Sequence, residues 1–440
     1  MSALPPWAQP GITDVPVARA FLAALRDEDT LFLGSNDADG APTSAPQTQR
    51  LRGHGITVAA NVVTATPPRA DLVALHRSFG LGAIQVFCPR HPTQQGQLAE
   101  LVLADTALVD RIRADALTKI LISYKSPAGA RLAAALGLTP VLCSPHPDAY
   151  QAANDKLALA EAGTRHGFAT LEAVAVADEA ALAAVFPTLA ARYGAGCIVR
   201  LRRGTSGRHI HHARTLRGAR RAWRTLAATD SVPMLMPYLP PGRVRRNVAA
   251  HGIVTANGFA PLLFTDQILK GPFFQGGSTT EPWRPEDVAV IRTALDGVAR
   301  WFRTIGYVDA PAGIDGFLVD ERDGPRFVVL DPNARFSATM QPWAAMATLA
   351  ERSGVPLVWR FEGMRLLGRA LSVDLLRRRL GDDVLAPDAI ARGGVLPTTL
   401  SQRRFGPFAD NHLWALLVGR DANRVAELRR RLRGVTLIAR

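Results

Sequence analysis

The chain has 440 residues, 48% hydrophobic and 20% charged, which excludes disordered and fibrous classes and suggests roughly two to four domains. Its three cysteines, Cys88, Cys143 and Cys197, lie far apart, arguing against a disulfide framework or a structural zinc site. The net charge of +14 raises nucleic acid as a partner, but the arginines are scattered over Arg214–Arg224, Arg377–Arg379 and Arg429–Arg433 without interleaved aromatics, so no nucleic-acid partner is expected.

The N-terminus lacks the basic start and apolar run of a signal peptide, and no stretch of about 18 apolar residues occurs. No membrane partner and a cytoplasmic location are expected. Lysine is scarce: only Lys119, Lys125, Lys156 and Lys270 occur. A compact charge on a flexible stem is not replaced by the planar arginine fork where a single phosphate oxygen must be reached, so these four draw notice.

The first 145 or so residues alternate between β-rich runs (30–36, 56–63, 83–89, 119–125 and 139–144) and helical patterns (69–79, 95–104, 107–117 and 127–137). Such alternation predicts a mostly parallel sheet covered on both faces. No GxGxxG follows the first strand and no GxxxxGK[ST] occurs, so the usual dinucleotide and P-loop sites are absent. After a turn-rich boundary at 144–150, one helix is predicted over 150–164, carrying Asn154, Asp155 and Lys156 in its first half. A second follows at about 178–191. A strand over Cys197–Arg202 places Ile198, Arg200 and Arg202 on one face.

That strand ends at Arg203-Gly204-Thr205-Ser206-Gly207-Arg208, whose glycines and small hydroxyls suit either phosphate wrapping or a plain hairpin loop. His209, His211 and His212 follow, with no carboxylate or cysteine to complete a metal set. An apolar strand runs over 232–240, a hairpin turns at Ala256-Asn257-Gly258, a helix covers 285–305, and two strands and a helix at 421–433 close the chain.

The stretch from Gly313 to Arg335 reads as two strands joined by a tight turn at Glu321–Pro325. A turn centred near Asp323 sets Asp315 opposite Asp331, with Asp331, Asn333 and Arg335 on one face. Two carboxylates and an amide oxygen suit Mg²⁺ bridging phosphates, and the arginine can fork onto a phosphate. The alternative is a hairpin end with ordinary turn acids.

In this order, Asn154-Asp155-Lys156, Arg200, the glycine-rich turn, the apolar strand MLMPYL and the hairpin ending in LDPNAR resemble the ATP-grasp ligase superfamily. FTDQILKGPFFQGG (264–277) and the C-terminal GVLPTTLSQRRFGPFADNHLWALLVGRDANRVAEL are similar to pheganomycin-type peptide ligases. The resemblance implies an α/β architecture in three parts. These are a Rossmann-like pre-ATP-grasp domain (1–147), an ATP-grasp domain (148–360, lid about 196–236) and a small C-terminal α/β domain (361–440).

It further implies an enzyme using ATP and Mg²⁺ to join small-molecule carboxylate and amine substrates, an amino acid or peptide, through an acyl phosphate, with a homodimer as candidate assembly. Asp315, Asp331 and Asn333 would hold the metal. Lys156, Arg200, Gly204, Thr205, Ser206, Gly207, Met236 and Tyr238 would hold the nucleotide, and Arg335, Arg200 and Lys270 would act on reacting groups. This sequence departs from the family pattern at five places. Arg200 stands for a lysine, Asp331 for a glutamate, Pro332 precedes the asparagine, the hinge at Met236-Pro237 lacks its acidic residue, and Pro311 or a neighbour replaces an arginine. A kinase on the same fold and a non-catalytic ATP-binding protein are the alternative readings.

Overall fold

The alternation near the N-terminus produces a parallel sheet. In chain order, α1 (Val15–Arg26) precedes β1 (Thr30–Leu33), β2 (Asn61–Val63), α2 (Ala70–Ser78) and β3 (Gln85–Phe87). Then come α3 (Leu98–Leu103), α4 (Thr106–Ala114), β4 (Lys119–Ile122), α5 (Pro127–Leu136) and β5 (Thr139–Pro140). The five strands lie in the order β3-β2-β1-β4-β5, all parallel, the doubly wound arrangement that the alternation predicts. The computed structural model describes residues 4–34, 58–64, 67–82, 85–90, 97–123, 125–203, 209–228, 232–405 and 408–435.

The expected helix over 150–164 is instead two: α6 (Pro147–Ala153) and α7 (Lys156–His166). Asp155 causes the break, because its side chain accepts from the backbone N–H groups of Leu157 and Ala158 and caps α7. β6 (Ala169–Thr170), β7 (Val174–Ala175), α8 (Glu179–Ala191), β8 (Cys197–Leu201), β9 (Ile210–Ala213), α9 (Leu216–Ala227) and β10 (Pro233–Pro237) follow. Four of these strands form an antiparallel sheet, β7-β10-β8-β9, whose apolar side packs on α8 and α9 through Leu182, Phe186, Val199, Leu226 and Leu235.

The remaining chain builds a nine-stranded sheet from β11 (Val244–Thr255), β12 (Gly258–Lys270), β13 (Phe273–Ser278), α10 (Pro285–Thr304), β14 (Ala310–Glu321), β15 (Gly324–Asn333), α11 (Met340–Ser353), β16 (Val358–Gly368), α12 (Val373–Leu380), β17 (Gly394–Phe405), β18 (Phe408–Gly419) and α13 (Ala422–Arg433). Its order is β17-β18-β16-β13-β12-β11-β14-β15-β6. Thr255 pairs with Gly258, as the Ala256-Asn257-Gly258 signal predicts. One face rests on α10 through Val248, Phe264, Ile314, Val329 and Phe302. β16 pairs with β13, and β18 and β17 continue outward, so the backbone edge of the central sheet is satisfied by the C-terminal strands. The junction is tight: a Cβ on Gly276, whose φ is +149°, would meet the Phe361 carbonyl oxygen at 1.8 Å.

Helix α1, strand β13 and helix α11 carry no label in the sequence reading above. They are apolar segments whose partners come from distant parts of the chain: Phe21 of α1 stacks on Phe336 at 5.6 Å between centroids.

Candidate functional site

The β14–β15 hairpin sets the geometry. Its turn is one half-residue earlier than predicted, with Glu321 opposite Gly324. A regular ladder from that turn would place Leu330 across from Asp315 and send Asp331 to the other face. A one-residue bulge at Leu330 prevents this and restores the pairing of Asp315 with Asp331. The neighbour Gly316 makes room for it, since a Cβ there would lie 2.5 Å from the Phe327 ring.

Around these carboxylates, side chains from four segments converge. Lys156 Nζ lies 3.0 Å from Asp331 Oδ1, and Arg200 Nη2 lies 3.2 Å from Asp331 Oδ2. Asn333 donates to Asp315 Oδ2 at 2.8 Å, and Arg335 Nη2 donates to the Asn333 side-chain oxygen Oδ1. Gln267 of β12 also hydrogen-bonds Asp315. Asn154 accepts from the Ala334 backbone N–H at 3.1 Å and from Arg335 Nη1 at 3.3 Å, fixing the end of β15 against the α6–α7 kink.

Charge is unevenly balanced across the pair. Burial, reinforced by the negative Asp331, pushes Asp315 up to about 7. Burial also raises Asp331, but Lys156 and Arg200 outweigh it and hold the carboxyl below its ordinary range. Burial lowers the Lys156 ammonium, and Asp331 opposes that shift. Arg200 is buried, and its Nε has no hydrogen-bond partner. A buried guanidinium N–H without an acceptor fits an anion such as a phosphate oxygen.

The donor set fits a hard divalent cation: two carboxylates face one another, with an amide beside them. Asn333 can contribute its oxygen only by turning its amide, because Arg335 now holds that atom. Among the described residues no group of three or more His, Cys, Asp or Glu side chains is placed to hold a metal ion.

Beside the charged groups lies an apolar floor. Met236 is buried in β10 opposite Ile198, and both join a cluster with Leu171, Leu239, Phe317 and Leu330. A cavity of about 560 Å³ opens against the outer part of this floor, lined by Tyr193, Leu239, Val319 and Val328. None of the charged cluster lines it.

Other predicted residues are placed differently. The Tyr238 backbone N–H donates to the Gly196 carbonyl at 2.9 Å, and its ring stacks on His212 at 3.8 Å, so that N–H is already engaged. Lys270 is exposed at the end of β12 opposite Phe273. Gly204, Thr205, Ser206 and Gly207 lie outside the described residues.

Arg202, which alternation places beside Arg200, forks onto Asp155 at 3.2 and 2.7 Å. Sequence reasoning assigned no contact to Asn154, Gln267 or Arg202. The usable signals were the position of Asn154 two residues before Lys156 and that of Gln267 inside the segment 264–277.

No family model matches the chain, and no curated protein matches it in sequence. Solved structures do match in fold. An L-amino acid ligase from Bacillus licheniformis shares 13% identity at a TM-score of 0.53, covering 94% of this chain and 99% of its own. N5-carboxyaminoimidazole synthetase from Staphylococcus aureus, solved with ADP, shares 12% at 0.53, covering 93% and 99%. The biotin carboxylase domain of Hydrogenobacter thermophilus 2-oxoglutarate carboxylase, solved with MgADP, ADP and bicarbonate, shares 13% at 0.53, covering 89% and 85%. The chain has the ATP-grasp fold. No helix of the described residues is long and apolar enough to cross a membrane.

Proposed function

We propose that this protein is an ATP-dependent carboxylate–amine ligase that forms an amide or peptide bond on amino-acid or peptide substrates through an acyl phosphate. The observation that carries the reading is the meeting of Lys156, Arg200 and Arg335 with Asp315, Asp331 and Asn333 at one end of a hairpin. Similar folds solved with ADP and MgADP, and one named an L-amino acid ligase, support it. The likeness of 264–277 and the C-terminal segment to pheganomycin-type peptide ligases supports the substrate class. In this reading residues 1–147, 148–360 and 361–440 act as pre-ATP-grasp, ATP-grasp and C-terminal parts, in a reducing cytoplasm.

The substrate carboxylate attacks the γ-phosphorus and ADP leaves. The amine then attacks the acyl carbon and phosphate leaves. Little covalent work falls to the protein, so placement and charge dominate. The adenine lies on the apolar floor of Met236, Ile198, Phe317 and Leu330. Lys156 and Arg200 turn from Asp331 toward phosphate oxygens, with Arg200 Nε supplying a further donor. Arg335, steadied by Asn154, neutralises charge on the transferring phosphoryl group.

Asp315, Asp331 and Asn333 would hold Mg²⁺, which when bound neutralises phosphate charge. In the same reading Gly204, Thr205, Ser206 and Gly207 are assigned to bind the triphosphate through their N–H and hydroxyl groups.

The test is a library of acids and amines screened for ADP release, with products identified by mass spectrometry. ADP and phosphate formed only when both an acid and an amine are present is the expected result. Stoichiometric AMP would refute the acyl-phosphate route, and phosphorylated acid released without an amine would identify a kinase.

A further inference from the structure

Three consecutive residues at the α6–α7 kink reach three different places. Asn154 holds the end of β15, Asp155 takes the Arg202 side chain beyond β8, and Lys156 meets Asp331. The second of these contacts has no evident need. Asp155 already caps α7 through Leu157 N–H at 3.0 Å and Ala158 N–H at 3.3 Å, and a neutral asparagine caps a helix as well as an aspartate. What the charged carboxylate adds is the fork to Arg202 and a longer contact, 3.9 Å, to Arg203 Nη2. The Asp155 side chain is only 4% exposed, whereas that of Arg202 is 38% exposed.

A main-chain bond doubles the link, because the Lys156 N–H donates to the Arg202 carbonyl at 3.1 Å. Lys156 is thus tied to residue 202 by its own backbone and by its neighbour's side chain. Residue 202 in turn lies two positions after Arg200. The two cations that share Asp331 therefore sit on segments fastened to each other at residue 202, with Arg203 adding a contact to Gln151 of α6 at 3.1 Å.

We propose that the Asp155–Arg202 pair is a latch that holds the four-stranded sheet to the α6–α7 kink and so sets the distance between Lys156 and Arg200, with Arg202 as a positioning residue. The inference rests on the reading of Lys156 and Arg200 as nucleotide ligands. Strand alternation places Arg202 on the same face as Arg200 but assigns it no partner; the fork to Asp155 supplies one.

The test uses the full chain with Asp155→Asn, Arg202→Gln and the double variant. Hydrogen exchange of the Lys156 amide in nucleotide-free protein reads the tether directly. Exchange at Lys156 is expected to rise about five- to tenfold in each single variant, the range for a partly exposed bidentate pair, and no further in the double variant. The Leu159 amide, which donates to the Asp155 carbonyl inside α7, is expected to stay within about twofold of wild type because asparagine keeps the cap.

ATP affinity by calorimetry is expected to fall by a similar factor in each single variant. Unchanged exchange at Lys156, equal acceleration at Leu159, or a double variant that multiplies the single effects would overturn the latch. If wild-type protein binds no ATP, the functional reading fails, while the exchange data still judge the latch.

Discussion

Replacing Asp331 by asparagine keeps its size but removes the one charge that Lys156 and Arg200 share. Lys156 is 2% and Arg200 10% exposed at the side chain, with contacts of 3.0 and 3.2 Å to the two carboxylate oxygens. At an effective dielectric near 20, each such attraction is about 5 kcal/mol before desolvation and the Lys–Arg repulsion are set against it. Breaking a fully buried pair costs about 3–5 kcal/mol, and because Asp331 is itself 26% exposed, the expected loss is about 2–4 kcal/mol. Against a stability of about 5–15 kcal/mol, the variant stays folded.

Urea unfolding followed by tryptophan fluorescence at pH 7 measures the loss. Its pH dependence has a definite sign. Burial already lowers Lys156, and losing Asp331 lowers it further. Between the depressed folded pKa and the ordinary 10.5, the unfolded chain holds a proton that the folded chain has released, so stability rises with pH in that window. The deficit of Asp331→Asn should therefore narrow as pH rises from 7 toward 10.5. With cognate substrates, turnover should fall by at least about a hundredfold, as for loss of a group stabilising transferred charge. A variant within about 0.5 kcal/mol of wild type, or a deficit that does not change with pH, would refute the assignment of Asp331 as the shared counter-charge.

The partner carboxylate behaves oppositely. Because Asp315 is raised from 3.8 to about 7, its ionisation opposes folding, and wild-type stability falls from this group as pH rises through that interval. Asp315→Asn should match wild type near pH 4 and exceed it by about 2–4 kcal/mol at pH 8, measured by urea unfolding at both pH values. Equal stability at pH 8 would contradict the raised pKa. At Arg200, lysine keeps the charge and should retain most ATP affinity in calorimetry, whereas alanine should weaken it by about tenfold or more. Equal affinity of Arg200→Ala and wild type would remove Arg200 from the nucleotide site.

Several features were legible because they depend on short-range chemistry. The parallel pairing of the first sheet follows from strand–helix alternation, and the Ala256-Asn257-Gly258 turn from its residues. The grouping of Asp331, Asn333 and Arg335 follows from their spacing of two.

The Asp315–Asp331 pairing was readable too, but for an incomplete reason. The turn lies earlier than its residues suggest, and the register is recovered by a bulge at Leu330. That bulge depends on Gly316 and Phe327 packing across the hairpin, which no local pattern specifies.

Ionic partners were less legible still. Arg200 and Arg202 share a residue type and a strand face, yet one reaches Asp331, 131 positions away, and the other Asp155, 47 positions away. Sequence alone gives every arginine on such a face the same range of carboxylates. Only the approach of the α6–α7 kink to β8 and β15 decides which cation meets which anion. The C-terminal strands make the same point at the scale of a sheet. Their alternation identifies them as strands, but joining the central sheet through β13 and β16 requires the backbone contact at Gly276 that tertiary packing alone creates.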